Sequence, residues 1–256
     1  MLLLHEATIA VHGCAAASIT RTSYDGLTFS SSQLKGLQAL MQATPDGQQT
    51  TNDRRLMMNA LQVRQNQTAR VLIFGCGRDS SFWAHTMNPR GKTVFLEDNV
   101  TWAKAQDADL DVHVVKYSTA PMAAWEERLA SPAGKRTLAK KDEPLLEIQG
   151  VPSGLFDEWW DVILVDAPAG FNGRMPGRMA PIFQTSRIIE RQRTDRPCKP
   201  VDVFVHDFNR PIERVWSLMF LTPHMRILNY AELSQSKQRR TTGSPNATFL
   251  AWFHTP

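Results

Sequence analysis

Cysteine is scarce and scattered in this chain of 256 residues: Cys14, Cys76 and Cys198 make an odd number with no CxxC spacing. Neither a disulfide framework nor a structural zinc site is implied. Apolar runs are short, and none approaches the ~20 residues of a membrane span. The opening MLLLHEATIAVHGCAAAS has no basic start, and His5, Glu6 and His12 interrupt it, so it makes a poor secretory leader. Repeats and low-complexity tracts are missing too. The arginines are not interleaved with stacking aromatics in a recognisable module, which argues against a nucleic-acid partner. Charge is only mildly one-sided, at +4 with a pI near 9.1. The excess is local: residues 171–240 hold thirteen Lys or Arg against six Asp or Glu. Such a stretch either faces an acidic substrate or is a solvated surface.

What is present is an ordinary globular composition, 42% hydrophobic and 21% charged, in a chain long enough for one elaborated domain. Residues 1–69 read as a helical lead-in. Leu34, Leu37, Leu40 and Met41 recur at helical spacing, and so do Leu56, Met57, Ala60 and Leu61. From Arg70 onward short apolar runs alternate with helical stretches, the pattern of a parallel sheet covered on both faces. Strands are expected at 71–74, 93–96, 111–116, 161–165 and 201–205, with a surface insertion at about 131–157. A helix should begin near Asp79, another should run through Trp125 to Leu129, and a third should follow Pro211. Two last strands, 225–230 and 247–253, are joined by a polar link, Ser234 to Pro245, without helical periodicity. A right-handed crossover needs a dozen or more residues, usually helical, so these strands should be antiparallel neighbours. The expectation is an α/β, Rossmann-like fold: a central seven-stranded, mostly parallel sheet with a C-terminal antiparallel hairpin and helices on both faces. That is the layout of class I methyltransferases.

The polar residues fall at strand ends. The first strand runs into Gly75, Cys76 and Gly77, where two glycines let the backbone turn tightly and approach a ligand. Glu97, followed by Asp98, closes the next strand about twenty residues on, where a carboxylate can accept both ribose hydroxyls. Ser80 and Ser81 stand where a dinucleotide pyrophosphate would want a third glycine, so an adenosyl ligand without phosphate fits better. Asp79 and Ser80 either line that ligand or simply cap the helix. Asp166 ends the fourth strand, and His206 with Asp207 ends the fifth. Ligands of open α/β sheets bind beyond the carboxyl ends of strands, so these groups share one rim. Either His206 or Asp166 serves as a general base, or Asp166 and Asp207, with Asn209, hold a divalent cation. The bland alternative for His206 is structural packing. Arg174, Arg178 and Arg210 lie in loops beside the rim, placed either to hold an acceptor carboxylate or to pair with Asp166, Asp207 or Glu213.

VLIFGCGRDSSFWA, GKTVFLEDN, WDVILVDAPAGFNGRMPGRM and DVFVHDFNRP, in this order, resemble the plant glucuronoxylan 4-O-methyltransferase family. The likeness runs from about Arg70 to the C-terminus. It implies S-adenosylmethionine as cofactor, an acidic saccharide as acceptor, and a divalent metal as a further activator. By that likeness Gly75, Gly77, Asp79, Ser80 and Glu97 line the cofactor site, and Asp166, His206 and Asp207 the reaction site. The chain departs from the family at Arg78, where His is usual, and in the loop that adds Arg174. O-methylation of a glucuronic acid-like acceptor is therefore expected, against a small-molecule O- or N-methyltransferase or a non-catalytic scaffold of polysaccharide biosynthesis. The chain is expected to be soluble, and cytoplasmic unless a leader or Golgi anchor precedes it.

Overall fold

The computed structural model describes residues 27–43, 49–64, 68–117, 121–125, 143–229 and 250–255. Nine strands follow in chain order: β1 (Arg70–Phe74), β2 (Lys92–Glu97), β3 (Asp111–Val114), β4 (Lys116–Tyr117), β5 (Ile148–Gln149), β6 (Val162–Val165), β7 (Asp202–Val205), β8 (Arg226–Asn229) and β9 (Ala251–His254). Seven of them form one sheet in the order β3-β2-β1-β6-β7-β9-β8. Neighbours from β3 to β7 pair in parallel, and β9 lies antiparallel to both β7 and β8. The expected final pairing holds, with β9 slotted inside β8. The link at 234–245 lies outside the described residues, as does the chain from 126 to 142.

Strands β1, β2, β6 and β7 are buried almost throughout, as unbroken apolar runs require when both faces are covered. Alternation along each strand sends its side chains into two different layers. Leu72, Phe74, Ile163, Val165, Val203 and Val205 pack against α4 (Met179–Asp195) and α5 (Pro211–Phe220). Val71, Ile73, Phe95, Leu164 and Phe204 face the other layer, made of α1 (Ser31–Ala43), α2 (Thr51–Gln62) and a π-helical segment, Phe82–Met87. The two N-terminal helices thus supply, with the π-helical segment, the cover over one face of the sheet. Edge strand β3 is only partly buried and carries Asp111 outward, which discourages pairing with another chain.

Two contacts tie the chain's ends together. A capping box starts α2: Thr50 Oγ1 accepts from Asp53 N (3.2 Å), and Asp53 Oδ2 accepts from Thr50 N (2.8 Å). Asp53 Oδ1 also accepts from Leu250 N at 3.2 Å, just ahead of β9. Beneath the sheet, buried Asp202 takes Arg64 Nη1 (2.6 Å), Trp252 Nε1 (2.7 Å) and His254 Nδ1 (2.7 Å).

Several expectations need adjusting. The described part of the insertion, 143–157, buries Leu146, Ile148 and Leu155 in the core, and its β5 pairs with β4. The sequence reading did not single out α4, although Ile182, Phe183, Ile188 and Ile189 mark its buried face. Cys198 is in a disulfide, which cysteine spacing did not imply.

Candidate active site

Every carboxyl end of the parallel strands opens on one rim, and a cavity of about 460 Å³ lies there. That volume suits a nucleoside-sized ligand. Gly75 adopts φ 112°, and a Cβ there would stand 3.1 Å from Ala167 Cβ, so the turn out of β1 admits only glycine. At Gly77 the constraint differs: a Cβ would meet nothing of the protein closer than Asp79 Oδ1 at 3.6 Å. The backbone there is left bare toward the cavity, as close approach of a ligand requires.

Glu97 fixes this loop from below. Its Oε2 accepts from Cys76 N (2.7 Å) and its Oε1 from Asn99 N (2.8 Å). Asn99 caps α3 (Val100–Lys104), accepting from Thr101 N at 2.9 Å, which brings half-exposed Trp102 to the cavity edge. Burial raises the Glu97 carboxyl above its usual range, partly offset by the two backbone donors. Burial, then Glu97, pushes the Cys76 thiol up to about 12, so it is inert at neutral pH. Ser80 lines the cavity, and its Oγ accepts from Gly77 N at 2.9 Å, which shapes the loop. Asp79 Oδ2 accepts from Trp83 Nε1 at 3.0 Å in the π-helical segment. Burial raises the Asp79 carboxyl, and the Asp166 charge adds to this. Exposed Asp98 lines the cavity beside Glu97.

Across the rim, Asp166 and His206 form a pair, with His206 Nδ1 at 2.8 Å from Asp166 Oδ1. His206 Nε2 is buried without a hydrogen-bond partner among the described residues. Burial by itself would lower His206, but the charge and hydrogen bond of Asp166 outweigh it and raise the imidazole. Asp166 moves the other way. Burial opposes its ionisation, yet His206 and Arg178 hold it well below the usual carboxylate range. Asp207 adopts φ 57°, a left-handed conformation that an Asp tolerates and most residues avoid.

Arg178 joins these groups. Its Nη2 meets Asp166 Oδ1 (3.0 Å), its Nη1 meets Asp207 Oδ2 (2.5 Å), and it also donates to the backbone oxygens of Asp166 and His206. Arg210 Nη2 makes a second guanidinium contact to Asp207 at 2.8 Å. Arg178 is therefore an internal partner, as the alternative reading of the loop arginines allowed. Arg210 lines the cavity, whereas exposed Arg174 and Asn209 do not.

A divalent metal at Asp166 and Asp207 was one of the two alternatives read from the sequence. Asp166, His206 and Asp207 each offer a ligand atom, all within 4.8 Å of one another. Both carboxylates, however, already bond to guanidinium groups, and a cation placed among them would meet two arginine charges. The donor set does not fit a resident metal. A cofactor of the adenosyl type does fit: Glu97 lies beneath the glycine turn, Gly77 is bare, and Trp102 and Phe95 offer apolar lining.

Gln49 and Arg54 are among the lining residues that went unread in the sequence. Gln49 Nε2 donates to Asp166 Oδ2 at 2.9 Å, and Arg54 reaches the cavity from α2. Arg54 stands on the same stripe as Met57, Met58 and Leu61, and an arginine in an apolar stripe was the available signal.

Sheet order, reversed β9 and the glycine turn bonded to an acidic strand end define the class I methyltransferase fold. The chain belongs to the IRX15/IRX15L/GXM family, whose model matches residues 53–235. It is 37% identical over 171 residues to arabinogalactan O-methyltransferase 1 of Arabidopsis thaliana, covering 62% of this chain and 57% of that protein. Arabinogalactan O-methyltransferase 2 of the same plant is 31% identical over 230 residues, 86% of this chain and 77% of the relative. Glucuronoxylan 4-O-methyltransferase 2, also of Arabidopsis thaliana, is 35% identical over 156 residues, 59% and 52% respectively. The chain thus spans little more than half the length of two of these relatives. Among the described residues no helix is long and apolar enough to cross a membrane.

Proposed function

We propose that this protein is an S-adenosylmethionine-dependent O-methyltransferase whose acceptor is a hydroxyl of a polysaccharide, with an acidic sugar as the methylated unit. The observation that carries the chemistry is the Asp166–His206 pair, lining the same cavity as Glu97 and the glycine turn. The relatives, named for arabinogalactan and glucuronoxylan, favour a saccharide acceptor over a small metabolite. S-adenosylmethionine supplies an electrophilic methyl group on a sulfonium.

The chain's own residues do the rest. Glu97 takes the ribose hydroxyls while its oxygens hold the loop through Cys76 and Asn99. Neutral His206 accepts the hydroxyl proton as the acceptor oxygen gains the methyl group. Ionised Asp166 steadies the resulting imidazolium, and Arg178 and Gln49 keep Asp166 in place. Arg210, at the cavity edge beside Asp207, is the guanidinium available to a uronate carboxylate. No step calls for a metal, since Arg178 and Arg210 carry the positive charge next to both carboxylates.

The test is incubation with methyl-labelled S-adenosylmethionine and glucuronoxylan, arabinogalactan or their neutral, uronate-free counterparts, followed by linkage analysis. Label on a uronic acid hydroxyl is the expected result. Label on neutral sugars only would remove the acidic acceptor, and no label on any saccharide despite cofactor binding would overturn the polysaccharide reading.

A further inference from the structure

Arg54 is a buried charge that the chemistry above leaves without a role. It is 2% exposed, on the first turn of α2, with Met57, Met58 and Leu61 continuing its stripe. Burying a guanidinium is costly unless it is bonded and faces opposite charge. Its Nη1 donates to Gln49 O at 2.5 Å and approaches Met41 Sδ at 2.9 Å. The charges that act on it are Asp79 and Asp166, ahead of Asp53 on its own helix. Arg54 and Asp79 line the same cavity, and Asp79 lies just past Gly77, beyond the glycine turn from Cys76, whose N–H binds Glu97.

The cavity lining therefore holds a guanidinium and a carboxylate whose charges act on one another, along with a turn whose backbone is bare. Such a pair is complementary to a ligand that carries an ammonium and a carboxylate on one carbon. Arginine recognises the carboxylate through its planar fork, and the Asp accepts from the ammonium. We propose that Arg54 and Asp79 form an α-amino-acid subsite that binds the methionine end of the cofactor, Arg54 taking the carboxylate and Asp79 the ammonium. This rests on the cavity being an S-adenosylmethionine site. It makes the N-terminal helical layer part of the binding site as well as cover for the sheet. Gln49 links the subsite to the reacting pair, since its backbone oxygen accepts from Arg54 and its side chain donates to Asp166.

The subsite is tested by calorimetric titration of the full chain with S-adenosylhomocysteine, decarboxylated S-adenosylhomocysteine and 5′-methylthioadenosine, which lacks the amino-acid end. The unmodified protein should bind S-adenosylhomocysteine about tenfold or more tightly than either truncated ligand. In R54M that preference over the decarboxylated ligand should vanish, while affinity for 5′-methylthioadenosine stays within about twofold. R54K should keep part of the preference, because it retains the charge without the fork. Equal affinity of the unmodified protein for all three ligands would overturn the subsite and leave the cofactor assignment standing. A loss in R54M shared equally by all three would also overturn it, marking Arg54 as structural. Because Arg54 is buried, R54K takes the place of R54M if the latter does not fold: a reduced preference in R54K supports the subsite, an unchanged one overturns it, and equal affinities in the unmodified protein overturn it without any variant. Failure of that protein to bind any of the three would remove the cofactor reading itself, and the subsite with it.

Discussion

The imidazole of His206 stands 2.8 Å from Asp166 at the ends of two neighbouring parallel strands, and each alters the other's protonation. Asp166 raises His206 against the pull of burial and the nearby Arg178 charge. As proton acceptor, His206 has to be neutral. Turnover should therefore fall with decreasing pH through a midpoint above 6.5, the ordinary imidazole value. In Asp166→Asn turnover should be lost while cofactor affinity stays within about threefold. The imidazole, titrated by NMR, should drop there, because burial and the Arg178 charge are then opposed only by Asp207. A wild-type kcat profile flat from pH 5 to 8, or an active D166N enzyme, would exclude the pair from proton transfer.

Glu97→Ala should weaken binding of S-adenosylmethionine by about tenfold or more, since a hydrogen bond to a charged group contributes ~1.5–3 kcal/mol. Glu97→Gln should lose less, because its amide oxygen can still accept from one of the two backbone donors at Cys76 and Asn99. Unchanged calorimetric affinity in the alanine variant would place the ribose elsewhere.

Arg178 occupies the space between Asp166 and Asp207 that a metal would need. EDTA should leave both turnover and cofactor affinity unchanged, and titration with Mn2+ should release no heat. In Arg178→Met, Asp166 loses its guanidinium partner and Asp207 keeps only Arg210, so Mn2+ binding should appear. Restoration of an EDTA-treated wild-type enzyme by added metal would contradict the arginine-for-metal arrangement.

Asp202 offers a stability test away from the active site. Its carboxylate is held low because Arg64 and His254 outweigh the effect of burial. Removing one partner of a buried ion pair costs ~3–5 kcal/mol, so Asp202→Ala should be destabilised by about that much in urea at pH 7. A folded value below the unfolded 3.8 means the stabilisation is present above pH ~4 and is lost as pH falls through the folded value. The gap between wild type and variant should accordingly narrow in acid. A gap that widens there would contradict the assignment.

The parallel strands and their acidic ends were legible because unbroken apolar runs such as VLIF and VILV have one stable place, the middle of a doubly covered sheet. A polar residue directly after such a run must fall on the rim. The antiparallel ending was legible for a related reason, as a link without helical periodicity cannot make a crossover. That accounts for Glu97, Asp166, His206 and Asp207 sharing a cavity. Gln49 and Arg54 were not legible as part of it. They lie 117 and 112 residues from Asp166 in sequence, and nothing local says that α2 covers the sheet at its reactive end. Arg178, Arg174 and Arg210 look alike as loop arginines. Only packing buries the first between two carboxylates, puts the third at the cavity edge and leaves the second in solvent. Hydrophobic patterning specifies which backbone forms a strand and where it ends. The partner of a charge is chosen by through-space distance and desolvation, which arise only when distant segments meet.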